Sequence, residues 1–245
     1  MANFKPINDY SLYILDRLIS EYKLKPPFLD IACGTGYVSA FLGDEGWSGK
    51  AVDFSDNAIK IAKINLERFK KIIVEKKDAT KEKSKYNTIL MFDVLEHIEN
   101  DTAFLKKVYS MMLPKGHLVI CVPNNPKEWR WDDEFYGHFR RYTEQDLTEK
   151  LKKAKLKKLI CYDYSYPFFW VLRRAYTKFM HKDLVKLNKH EQTKESAVVY
   201  SWNMPFISTI LNSTSFLWLP IYSIQYNFFK KRTSRGNAIL VLAKK

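Results

Sequence analysis

FLDIACGTGYVSAFL, residues 28–42, is the stretch on which the fold turns. Pro27–Ala32 is apolar apart from Asp30 and too short for a helix, so it reads as a buried strand. Tyr37–Glu45 carries Val38, Phe41 and Leu42 on one side and reads as a helix. Between them stand Gly34 and Gly36. Residues without Cβ suit a tight strand-to-helix turn, where the backbone bends sharply and a ligand can come close. The helix N-terminus that follows offers unpaired N–H groups and a positive dipole end.

The alternation continues on both sides. A helix over Asn8–Tyr22 precedes the first strand. Lys50–Phe54 is a short strand, and Ser55 caps a helix through Phe69 that carries Ile59, Ala62 and Leu66. Ile72–Glu75, Thr88–Phe92 and Leu118–Val122 read as strands, and Asp101–Met112 as a helix stopped by Pro114 and Gly116. Thr143 caps a basic helix to about Ala154, followed by a strand over Leu156–Tyr162. The closing NAILVLAKK reads as a seventh strand. Strands alternating with helices imply an α/β fold, doubly wound around a mostly parallel seven-stranded sheet.

The 245 residues are 46% hydrophobic, enough for a sizeable core, and 8 Gly with 9 Pro exclude collagen-like and low-complexity classes. The cysteines Cys33, Cys121 and Cys161 form no CxxC pair, which speaks against a disulfide scaffold or zinc ribbon and for a reducing compartment. The opening MANFKPINDYS lacks a basic segment followed by an apolar run, so no secretory signal is expected and the chain is read as cytoplasmic. The charge of +14 is uneven: residues 1–149 sum to −1 and residues 150–245 to +15. A basic rear half suits an anionic partner such as phospholipid headgroups, a phosphorylated substrate or nucleic acid; a solvated lysine-rich surface is the plainer reading.

Asp53 closes the second strand 17 residues after Gly36, where a carboxylate can accept hydrogen bonds from both ribose hydroxyls of a nucleoside. Dinucleotide enzymes share that pattern, but two details separate them. Their third glycine would fall at position 39, which is Ser39 here. Asp30, at the strand end, would repel a pyrophosphate but attract an ammonium or sulfonium group. With LDIACGTG, AVDFS, KKDAT, ILMFDVLEHI and GHLVICVPN in order, the chain over about 26–160 resembles the class I methyltransferases that use S-adenosylmethionine (SAM), in their small-molecule branch. The resemblance implies a Rossmann-like fold with SAM as cofactor. Asp30, Ala32, Gly34 and Gly36 would line its methionine end, Ala32 standing where the family usually has Gly. Asp53 would hold the ribose and Phe54 pack on the adenine. Asp78 would reach the adenine amino group, with Ala79 offering backbone, and Phe92 would lie beside the methionine moiety.

An oxygen acceptor must also lose its proton. His138, in DDEFYGHFRRYT, is the first candidate for general base; a hydrogen-bonded structural role is open beside it. Arg140 and Arg141 are adjacent and point different ways, so one can bind substrate carboxylate or phosphate while the other is structural. Trp129, Trp131, Phe135, Tyr136 and Phe139 are wall or ordinary packing. His97 is the second candidate. If a helix begins near Asp93, then Asp93, Glu96 and His97 share one face. With His138 this set looks like the metal site of small-RNA 2′-O-methyltransferases and ubiquinone-pathway O-methyltransferases. The reading without metal is preferred, because two adjacent polar residues such as Glu96 and His97 at a helix start are commonly capping.

Residues 196–229 contain no Asp, Glu, Lys or Arg, hold Trp202, Phe206, Phe216, Trp218, Tyr222, Tyr226, Phe228 and Phe229, and end on Lys230, Lys231 and Arg232. The earlier YSYPFFWVL likewise ends on Arg173 and Arg174. Apolar, Trp-rich stretches closed by basic residues suit a lipid interface. A membrane span fits less well, since only 14 residues separate Pro205 from Pro220. A lid buried on the core is the alternative. The expected organisation is a SAM-binding core over 1–162, a basic, aromatic helical insertion over 163–235 and a returning strand over 236–245. The expected function is methyl transfer to a small-molecule, lipid or lipid-linked (isoprenoid or glycan) acceptor, with the protein peripheral at the inner face of an anionic membrane. A soluble metabolite or sugar acceptor comes second. RNA methylation comes third, because single-strand binders interleave rings with cations and here the rings avoid them.

Overall fold

A computed structural model describes residues 6–179 and 217–245. Helix α1 (Pro6–Tyr22) leads into β1 (Phe28–Ile31), α2 (Tyr37–Asp44), β2 (Gly49–Asp53), α3 (Asp56–Leu66), β3 (Ile72–Lys76) and β4 (Tyr86–Phe92). Then come α4 (Asp101–Met111), β5 (Met112–Pro123), α5 (Trp131–Phe135), α6 (Glu144–Lys153) and β6 (Lys157–Asp163). Helix α7 (Phe168–Phe179), helix α8 (Trp218–Phe229) and β7 (Ala238–Lys244) complete the described chain. The seven strands form one sheet in the order β3-β2-β1-β4-β5-β7-β6, parallel except for β7, which runs antiparallel between β5 and β6.

Two apolar layers sandwich the sheet. On one face Tyr10, Ile14 and Leu18 of α1 pack with Val38, Leu42, Ala62 and Leu66; on the other Leu105, Val108, Leu147 and Leu151 pack on Ile89, Ile120 and Val241. Alternate residues of a strand face opposite layers, so Leu29 and Ile31 join one and Phe28 the other. Ser55 caps α3 by accepting from Ala58 N, and Thr143 caps α6 by accepting from Asp146 N, both as the sequence implies.

One boundary differs. Pro114 and Gly116 do not separate α4 from a strand beginning at Leu118: β5 starts at Met112 and absorbs both. The register of β4 against β5 shifts between Tyr86 and Thr88, and Lys115 takes φ 62°, so the strand enters through an irregular turn in which Pro114 is exposed and needs no ladder donor.

Because β1, β2 and β4 run parallel in register, Ile31, Asp53 and Phe92 end on the same sheet edge. In open α/β sheets the crevice beyond that edge is the ligand position.

Candidate active site

The turn after β1 is held from three sides. Cys33 N donates to Val52 O (3.0 Å), Gly34 N to the Asp53 carboxylate (2.9 Å), and the Asn65 amide to Thr35 O (2.9 Å). Gly34 and Gly36 take φ 54° and 82°. A Cβ on Gly36 would lie 2.9 Å from Leu66 Cδ1, so glycine there lets α2 pack on α3. Ala32 also adopts a left-handed φ of 53°, which accounts for the family's glycine at this position. Ala32→Gly relieves that strain; thermal unfolding is expected to show a gain of about 0.5–1 kcal/mol with SAM binding retained.

The Asp53 carboxylate accepts from Gly34 N and Ser55 N (2.8 Å) and is 3% exposed. Burial pushes it above the ordinary carboxylate value, against the lowering by those N–H groups. Asp30 accepts from the Ser39 hydroxyl at 2.6 Å, and burial raises it to about 7, with the Asp53 charge adding to the rise and the Ser39 bond opposing it. Ser39, which breaks the dinucleotide pattern, is thus the partner of the acidic residue in the turn. Phe92 packs edge-on against Tyr37, with ring centroids 6.3 Å apart. Asp78 is exposed; its Oδ1 accepts from both Thr80 N (2.9 Å) and Thr80 Oγ1 (2.7 Å), capping the single 3-10 turn Ala79–Lys81. Desolvation works against its charge, but Thr80 and Lys81 outweigh it and hold Asp78 below the usual range.

A second cluster stands beyond the end of β4. No helix begins at Asp93, contrary to the expectation that places Asp93, Glu96 and His97 on one helical face. Asp93 takes φ 55°, and only the 3-10 turn Leu95–His97 follows. What comes together instead is Glu96, His97 and His138, with one donor atom of each lying within 4.8 Å of the others. Asp93 bonds to Tyr164 and is not part of that group. The rings of His97 and His138 meet edge-on, centroids 4.8 Å apart. Burial, reinforced by His138, lowers His97 to about 3, so its ring is neutral. Glu96 is 0% exposed, and neither carboxyl oxygen has a hydrogen-bond partner. Burial, with the Asp93 charge behind it, raises its carboxyl well above the ordinary value.

His138 Nδ1 lies 2.9 Å from Asp133 Oδ1. Burial disfavours the Asp133 charge, but His138 and the guanidinium groups of Arg141 and Arg173 outweigh it and keep it ionised. An ionised carboxylate only accepts, so Nδ1 carries a proton toward Asp133, and Nε2 lies 3.9 Å from Glu96 Oε1. This is the orientation logic of an acid–histidine pair.

Both arginines, of which one was expected to meet substrate, have partners within the protein. Arg141 is buried: its Nε donates to both Asp133 oxygens (2.8 and 2.9 Å) and its Nη1 to the carbonyls of Asn124 and Asn237. Arg140 donates to Asp101 (2.7 Å) and to the carbonyls of Ile98 and Glu99. Both stitch the loop carrying His138 to its surroundings. Trp131 donates to Thr177 O and packs on Tyr176, fastening α7, while Trp129 is exposed and donates to Glu134.

Residues 10–159 match the family model described as a methyltransferase domain. The chain belongs to the methyltransferase-domain family. It carries a class I methyltransferase domain, whose cofactor is SAM, and the turn fits that group: left-handed backbone at Gly34 and Gly36 and buried carboxylates at Asp30 and Asp53. Among curated relatives, the ubiquinone biosynthesis O-methyltransferase of Nitrosomonas europaea is 28% identical over 138 residues, 52% of this chain and 58% of the relative. That of Pelagibacter ubique is 26% identical over 138 residues, 50% and 58%. The chain therefore spans somewhat over half the length of these relatives. Two solved structures show the fold alone. Magnesium protoporphyrin IX methyltransferase from Synechocystis aligns with TM-score 0.53 and 17% identity over 63% of this chain and 74% of that one. The cyclase SpnF aligns with TM-score 0.57 and 14% identity over 95% and 80%. A methyltransferase and a cyclase on one fold leave the acceptor to be argued from the site.

Proposed function

We propose that this methyltransferase transfers the methyl group of SAM to a hydroxyl of a lipid or lipid-linked small molecule at an anionic membrane surface. The observation that carries the hydroxyl is the Asp133–His138 pair at the sheet edge where Asp53 and Phe92 end. SAM, when bound, supplies a methyl carbon on a sulfonium, open to in-line displacement. Asp53 holds the nucleoside, and the turn from Ala32 to Gly36 keeps it in place. His138 Nε2 takes the proton of the acceptor hydroxyl, while Asp133 holds the ring and stabilises its charged form. The names of the relatives, O-methyltransferases of ubiquinone biosynthesis, support an oxygen acceptor.

The two rear helices support the membrane. Along α8, Tyr222, Gln225 and Tyr226 turn inward and Trp218 stacks on Phe169, so these aromatics join the core rather than a lipid face. Leu219, Ile224 and Phe228 face out, as do Phe168, Val171, Leu172 and Phe179 on α7. Lys178, Lys230, Lys231 and Arg232 stand at the C-terminal ends of the same helices. An apolar face beside cations suits a headgroup–acyl boundary. Trp202, Phe206 and Phe216 lie outside the described residues, as does most of the expected 163–235 insertion. Among the described residues no helix is long and apolar enough to cross a membrane. Labelled SAM with separated lipid and polar extracts is expected to mark the lipid fraction, and the protein to sediment with phosphatidylglycerol vesicles, at least tenfold less after joint Leu172→Glu and Phe228→Glu. Label confined to the polar fraction, with no vesicle binding, would refute the lipid acceptor.

The unpartnered Glu96 carboxyl favours a second reading. Glu96, His97 and His138 offer one oxygen and two imidazole nitrogens, a donor set suited to zinc or manganese more than to magnesium. A cation held there would supply Lewis-acid activation of the hydroxyl, with Asp133 orienting its ligand His138. The base reading expects EDTA to leave turnover unchanged. The metal reading expects at least a tenfold loss, restored by one divalent cation and reproduced by His97→Ala.

A further inference from the structure

Asp133 does more than hold a histidine. Its Oδ1 takes His138 Nδ1 and Arg141 Nε, and its Oδ2 takes Arg130 N (2.9 Å), Arg141 Nε and Arg173 Nη2 (2.9 Å). Arg173 is not part of the loop around His138. It belongs to α7, the helix whose outward face is Phe168, Val171, Leu172 and Phe179. The same guanidinium grips Asp132 through Nε (2.8 Å) and Nη2 (2.6 Å) and the Glu128 carbonyl through Nη1 (3.1 Å). Arg174 and Trp170 Nε1 bind the Glu128 carboxylate beside it, so α7 is seated on three acidic residues just ahead of His138.

We propose that Arg173 is a positioning residue that transmits the seating of α7 to the His138 imidazole through the shared Asp133 carboxylate, coupling what covers the outer face of α7 to the reacting site. Asp132 and Asp133 are adjacent and both buried, and among the described residues the Arg173 fork is the group that pairs with both. Two neighbouring buried carboxylates without that fork repel each other and lose hydrogen bonds that water does not replace. Arg141 then holds Asp133 from one side, and the carboxylate turns to recover a partner. The Nδ1–H···Oδ1 bond weakens, the ring gains freedom, and Nε2 no longer faces one point. A lysine keeps the charge but cannot span both acids, because it lacks the planar pair of donors. When α7 lifts, the site loosens; when α7 is pressed down, the ring is fixed. The effect on turnover rests on the reading of His138 as the group at the acceptor, whereas the effect on the ring does not.

The test uses the full chain with Arg173→Gln and Arg173→Lys. The proton on His138 Nδ1 is followed by NMR, assigned by its loss in His138→Asn, and kcat and the KM for SAM are measured alongside. In Arg173→Gln the Nδ1 proton is expected to exchange with solvent at least tenfold faster. The same variant is expected to lose at least tenfold in kcat, with the SAM KM within twofold of the parent. Arg173→Lys is expected to recover only part of both losses. If Arg173→Gln does not fold, Trp131→Phe loosens α7 at Thr177 without touching Asp133, and its Nδ1 proton is expected to exchange faster as well. A folded variant of either kind whose Nδ1 proton keeps the parent's shift and exchange rate overturns the proposal. Full activity of His138→Asn would sink the proposed chemistry instead, while the exchange rates would still decide the role of Arg173.

Discussion

Asp53→Ala is expected to weaken SAM binding by at least 100-fold in titration calorimetry. On the proposed reading the carboxylate accepts from the ribose hydroxyls, and hydrogen bonds to a charged group contribute about 1.5–3 kcal/mol each, so two of them correspond to about 100-fold or more. The same carboxylate anchors Gly34 N and Ser55 N, so the substitution also frees the turn that must grip the cofactor. A modest fall in stability, about 1–2 kcal/mol, accompanies the loss of those two partners. Thermal unfolding of the unliganded protein separates the two effects: a variant that is folded at the assay temperature yet takes up no SAM locates the loss in binding. Unchanged affinity in a folded variant would refute the ribose assignment.

His138→Ala is expected to lower kcat by about 10²–10⁴-fold, the range for a positioned proton acceptor, with SAM affinity unchanged. The separation follows from placement. His138 is reached through the loop after β5 and bonds to Asp133, whereas the cofactor turn is built from the ends of β1 and β2. Asp133→Asn is expected to act through the ring: an amide can offer N–H to Nδ1 and select the wrong tautomer, so kcat falls while the ring remains present. A His138→Ala variant with full turnover would remove this residue from the chemistry, and a weakened SAM affinity with unchanged kcat would reassign it to the cofactor.

How much of this was legible in the sequence depends on the range of each interaction. The strand–turn–helix at residues 28–42 is local: apolar period, glycines and caps all lie within a few residues, and the structure follows them nearly residue by residue. Asp53 was legible because parallel strands end on one edge, so a residue at the end of the second strand must lie beside the turn after the first. The entry to β5 was not, because Pro114 and Gly116 are breakers in a helix but harmless in an exposed, irregular strand start. The Asp133–His138 pair lay in plain view within DDEFYGH, five residues apart, and the acidic residues ahead of the histidine were the signal that could have found it. Arg173 could not be found that way: it is 40 residues from Asp133, and only the docking of α7 brings them together. The inward turn of Tyr222 and Tyr226 was equally hidden, because an aromatic residue suits a lipid interface and a core alike, and only the packing of α8 on α1 decides between them.

The measurement closest to the root is calorimetric titration of the purified protein with SAM, with S-adenosylhomocysteine and with NAD. Saturable binding of the first two and none of the third is the predicted result. Uptake of NAD, or of none of the three by a folded protein, would contradict it.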